Sequence, residues 1–125
     1  MRRCVFLVLL AACLSPVAPG DAKQYDPPAI YRTWWTEMEA CVNANANFDA
    51  VRYYSLDIAC LPAPAEEAGC RLGEYRPGAN AITVALHAKL LESILKHEMA
   101  HALGIEHGEL LDACAPLPGV IIILP

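Results

Sequence analysis

The chain has 125 residues, with 14 acidic against 9 basic side chains and a formal net charge of −5 when histidines are neutral. The length fits one domain. The acidic balance argues against a nucleic-acid partner, because a phosphate backbone is bound by a basic face.

Residues 1–20 read as a secretion signal. Arg2 and Arg3 form a short basic start, and "CVFLVLLAA" is an apolar run too short to span a bilayer as a helix. The "LLAAC" that ends at Cys13 resembles the lipobox of bacterial lipoproteins, which implies cleavage before Cys13 and lipidation of that residue. Ordinary signal cleavage after "APG", near Gly20, is the other reading. Both export the chain to the periplasm or the outer surface, with membrane contact only through the lipid. Without residues 1–12, which carry Arg2 and Arg3, seven basic residues face fourteen acidic ones, and the net charge is near −7. Residues 21–28, "DAKQYDPP", read as a proline-containing tether to a single domain over 29–125.

Within that domain "PPAIYRTWWTEMEACVN" predicts a helix, with proline at its start and Ile30, Trp34, Met38 and Cys41 at helical spacing. "NANANFD" breaks it. "AVRYYSLDIA" alternates as a strand, with Val51, Tyr53 and Ser55 on one face and Arg52, Tyr54 and Leu56 on the other. "CLPAPAEEAGC" is a proline-rich loop whose Glu66 and Glu67 read as solvated. "RLGEYRPGANAITVALH" predicts two strands joined at "PGAN". "AKLLESILKHEMAHALG" predicts a second helix. Gly104 stands just past its last periodic residue, where a left-handed glycine closes a helix. The sum is an α+β domain: a helix first, a small, mostly antiparallel sheet, and a late helix.

Four cysteines follow the leader, Cys41, Cys60, Cys70 and Cys114, and none forms a C-x-x-C pair. In an exported small domain they read as two disulfides. Of the three pairings, Cys60–Cys70 with Cys41–Cys114 is the favoured one. The longer link closes about 74 residues and is worth on the order of 4 kcal/mol in the chain-entropy account.

The chemistry lies in "LKHEMAHALGIEH". His97 and His101 are four apart, so their imidazoles stack on one helix face and can share a metal ion. Glu98 adjoins the first ligand and can take the proton of a water that zinc acidifies. Gly104 turns the chain, so that His107 can come back as a third ligand. Three imidazoles leave a fourth position open on Zn2+.

The residues His97, Glu98, His101, Gly104 and His107 match H-E-x-x-H-x-x-G-x-x-H in full, and the segment resembles the metzincin clan of zinc metallopeptidases. The element order is similar to that of small exported bacterial zincins of lipoprotein type. The resemblance implies endopeptidase chemistry on a peptide or protein substrate, with Glu98 as general base and zinc on His97, His101 and His107. It also implies a strand along the cleft that pairs with extended substrate; Asn80–His87 is placed for that role, or is simply a sheet strand. The chain departs from the clan in having no methionine after Met99, so "PLPGV" at 116–120 is the segment available to form the floor under the metal. Glu106, Glu109 and Asp112 are the carboxylates that replace His107 if it turns away.

Other residues read as structural. Trp34 and Trp35 read as core plus rim, Tyr53, Tyr54 and Tyr75 as strand packing before oxyanion donors, and His87 as a surface residue. The tail "GVIIILP" reads as an edge strand, a segment packed under the helix, or a free end. The chain is expected to be a monomer. The rival to a peptidase is a non-catalytic zinc-binding or envelope interaction module that keeps the site.

Overall fold

The computed structural model describes residues 18–62 and 69–117. Residues 1–17, which hold the expected secretion signal and Cys13, the acidic pair Glu66 and Glu67, and the residues from 118 onward lie outside the described residues. The domain is α+β, as expected. In chain order it runs β1 (Lys23–Tyr25), α1 (Ala29–Val42), β2 (Arg52–Leu56), β3 (Gly73–Arg76), β4 (Ala81–Ala85), α2 (Glu92–Ala102) and α3 (Glu109–Cys114). Short 3-10 turns occupy Phe48–Ala50 and Leu86–Ala88.

Pro28 caps α1 in an extended conformation, and Asn43 ends it in a left-handed one, donating its N–H to the Glu39 carbonyl. The buried face is Tyr31, Trp34, Trp35, Met38 and Val42. This departs from the expected stripe, because Ile30 is 40 % exposed and Tyr31 takes its place in the core. A tyrosine can be buried when its hydroxyl finds a partner. Tyr31 Oη donates to the Lys89 carbonyl at 2.6 Å and lies 2.8 Å from Tyr25 Oη. Its ring packs on Trp34 and Tyr53 at centroid separations of 5.5 and 5.2 Å.

The sheet order is β1-β2-β4-β3. β1 with β2 and β3 with β4 are antiparallel, while β2 with β4 is parallel, so the sheet is mostly antiparallel as expected. The register aligns Tyr53, Ile82 and Tyr75 on one face, and Tyr54, Thr83 and Glu74 on the other. The first face packs with α1 and α2 around Trp35, Met38, Leu95 and Met99.

Two expectations are corrected here. The segment 21–28 is not only a tether: Lys23–Tyr25 pairs residue by residue with Tyr53–Ser55, so the domain begins before residue 29. The second helix is also shorter than its pattern. Leu86–Ala88 form a tight turn, Leu90 is 68 % exposed, and regular helix starts at Glu92, whose carboxylate suits the positive end of the dipole.

The favoured disulfides are both present, Cys41–Cys114 joining α1 to α3 and Cys60–Cys70 closing the loop before β3. Lys96 on α2 reaches Glu37 on α1 at 2.5 Å and Glu92 at 2.7 Å, tying the two long helices together on their outer side.

Candidate metal centre and cleft

The end of α2 builds the site. Gly104 has φ +91°, its N–H donates to the His101 carbonyl, and the Ile105 N–H donates to the Ala100 carbonyl. That pair of bonds is a Schellman closure, the one the glycine's position predicts. It reverses the chain so that His107 returns to α2.

The donor nitrogens of His97, His101 and His107 all lie within 4.8 Å of one another. His97 Nε2 and His107 Nε2 are 3.3 Å apart. Two nitrogens bound at 2.0–2.1 Å to one tetrahedral ion stand about 3.3 Å apart, so this pair is spaced as a four-coordinate metal requires. His101 Nδ1 donates to the Ile105 carbonyl at 2.8 Å. That bond fixes the tautomer and leaves Nε2 with a free lone pair. The three imidazoles are thus placed so that they could hold a metal ion. Among the described residues no other such group occurs, and Glu106, Glu109 and Asp112 fall outside it. His87 stands apart on the Leu86–Ala88 turn, exposed.

The histidines grade from buried His97 to exposed His107, and they open into a cleft of about 780 Å³. One wall is β3 with Arg71 before it, the other is the return loop through Ile105 and Glu106. Glu98 lies between them, 7 % exposed. Leu117, partly buried on the core, lines the cleft from the segment after α3.

Asn80–His87 does not lie along the cleft. Its strand, β4, is interior, paired with β2 on one side and β3 on the other, so its backbone groups are taken. The edge strand beside the site is β3. Tyr75 lines the cleft, and its hydroxyl donates to Asn80 Oδ1 at 2.8 Å across the hairpin. Tyr53 is buried in the core and Tyr54 lies on the opposite sheet face.

Sequence reasoning missed the cleft wall, Arg71, Gly73 and Glu74. Gly73 did carry a signal: a glycine inside a strand marks close approach of another group. A Cβ placed on it would stand 3.0 Å from Glu98 Cγ. Glu74 is paired with Arg76 at 2.5 Å and with Arg71 at 3.5 Å.

Burial pushes the Glu98 carboxyl up to about 8; the Arg71 charge opposes this and the Glu74 charge adds to it. Burial lowers His97 to about 4, helped by His101 and His107, while the Ala115 backbone and Asp112 pull it upward. Burial also lowers His101, against the pull of its bond to Ile105. The signs differ. Glu98 holds its proton more tightly when folded, so its contribution is full below about 4.5 and is lost as pH rises through about 8. His97 contributes above its ordinary 6.5, and this is lost as pH falls toward about 4. The two slopes oppose each other below pH 6.5, and Glu98 acts alone above it. Metal-free protein is therefore expected to lose on the order of 1 kcal/mol between pH 6.5 and 8. Urea unfolding at the two pH values measures this, and Glu98→Gln should flatten the difference; a wild-type curve that is already flat would contradict it.

Compared with protein-family models, curated proteins and solved structures, the chain finds no match in any of the three.

Proposed function

We propose that the protein is an exported zinc metallopeptidase that hydrolyses peptide bonds with Glu98 as general base. The observation that carries this reading is the convergence of His97, His101 and His107, with two Nε2 atoms at 3.3 Å, beside a buried carboxylate in an open cleft. Three imidazole ligands suit zinc among the common metals. Zinc held there supplies Lewis acidity, polarising a carbonyl and acidifying water.

The chain's own residues do the rest. The depressed His97 and His101 are uncharged near neutral pH, as metal ligands must be. A nearby dication favours the ionised form of Glu98, reversing the effect of burial. The carboxylate then accepts a proton from the attacking water and delivers it to the departing amine nitrogen. Peptide and water become a carboxylic acid and an amine. β3, as the edge strand at the cleft, can pair with an extended substrate through its main chain. The two disulfides support an oxidising, exported setting.

The test is cleavage of a fluorescence-quenched peptide library by protein from residue 21 onward, with disulfides intact. One zinc per chain is expected, with turnover that a chelator removes and added zinc restores. His107→Ala should weaken zinc by more than about 100-fold, beyond the loss typical of an outer-shell partner. Full occupancy without turnover would sink the peptidase reading and leave a zinc-binding module. Binding indifferent to His107 would remove the third ligand.

A further inference from the structure

Gly73 opens the edge strand of the sheet, where a glycine weakens strand structure and adds no packing. Its surroundings give a reason for it. A Cβ at this position would lie 3.0 Å from Glu98 Cγ, 3.0 Å from Ile94 Cγ2 and 3.3 Å from Glu98 Oε2. Comfortable carbon–carbon contact begins at about 3.5 Å. The strand backbone is therefore seated directly on the stem of the proposed base.

Neither side can yield easily. Ile94 and Glu98 are one turn apart on α2 and both buried. The backbone of Glu98 follows that of His97, so moving one moves the other. On the strand side, Gly73 pairs with Val84, and the Ala85 N–H donates to the Leu72 carbonyl at 2.9 Å. The Leu61 N–H donates to the Arg71 carbonyl at 2.8 Å, and Cys70 is tied to Cys60. The strand is fixed by its sheet partner and by the disulfide loop just before it.

We propose that Gly73 is a positioning residue: by lacking a side chain it lets β3 close on α2 and hold the Glu98 carboxylate beside the three imidazoles. This rests on the peptidase reading of the site. The nearest atoms that a side chain at 73 meets belong to Glu98 and Ile94 and to no histidine, so it turns the carboxylate about its own side-chain bonds and leaves the histidines able to bind zinc.

The experiment compares wild type, Gly73→Ala, Glu98→Ala and the double variant, each zinc-free and zinc-loaded, with the quenched peptide library as probe. Gly73→Ala is expected to bind one zinc with little change in affinity. Its kcat should fall on the order of 100-fold, the scale of a roughly 1 Å misplacement, with KM little altered. In thermal unfolding, the drop in Tm caused by Gly73→Ala should shrink by about 4 °C or more, without vanishing, once Glu98 is replaced by alanine, because Glu98 Cγ and Oε2 are gone while Ile94 Cγ2 stays. If Gly73→Ala alone fails to fold, the double variant folding again makes the same point. Wild-type turnover in Gly73→Ala, or a Tm drop equal in both backgrounds, overturns the proposal. Failure of the peptidase reading itself shows separately, as zinc-loaded wild type that cleaves nothing with Gly73 intact.

Discussion

Glu98→Gln is expected to keep one zinc per chain and to lower turnover by about 10²–10⁴, the usual range for removing a general acid–base group. Glutamine has nearly the same shape, so it fills the space between β3 and α2 that the glutamate fills. What it lacks is a site for the proton. The same substitution should stabilise metal-free protein at pH 8, because the carboxyl is raised to about 8 by burial and an amide has no charge to desolvate. Activity lost while stability rises is the mark of a group kept for chemistry at the expense of packing. Zinc content by elemental analysis, turnover and thermal unfolding on one preparation decide the matter. A Glu98→Gln variant as active as wild type would remove the base from the mechanism.

Replacing Cys41 and Cys114 together by serine is expected to destabilise the domain by on the order of 4 kcal/mol, since the bond closes a loop spanning 73 positions. Small domains are stable by only about 5–15 kcal/mol, so much of the margin would go. The loss should reach the metal too. α3 ends at Cys114, and its neighbour Ala115 is buried in the same core cluster as Leu95 and Met99 of the histidine-bearing α2. Chemical unfolding gives the first effect, and zinc titration gives the second. A double-serine variant within about 1 kcal/mol of wild type would mean that the reduced, unfolded chain is already compact.

The site was the most legible part of the sequence because it is local. His97, Glu98 and His101 depend only on helix geometry, and Gly104 carries its own backbone preference, so their offsets determine the arrangement. The hairpin around "PGAN" was legible for the same reason. What escaped depends on distant partners. Alternation tells which face a side chain of β4 takes, but not that β2 and β3 flank it, so the choice between cleft strand and interior strand for Asn80–His87 stays open in the sequence. β1 is three residues long, too short for a period, and exists only through its pairing with β2. On α1 the choice between Ile30 and Tyr31 turns on a hydroxyl partner 58 positions away, at Lys89.

The link between α1 and α3 has a further consequence. Cys41 and Cys114 make one covalent ring of β2, β3, β4 and α2. A peptide bond nicked anywhere between 42 and 113 releases no fragment, and the molecule runs at full mass on a gel until a reductant is added. Proteolytic damage within the ring would accumulate unseen in a non-reducing assay. The flanking ends, which lie outside the ring, are the parts that a single cut can remove.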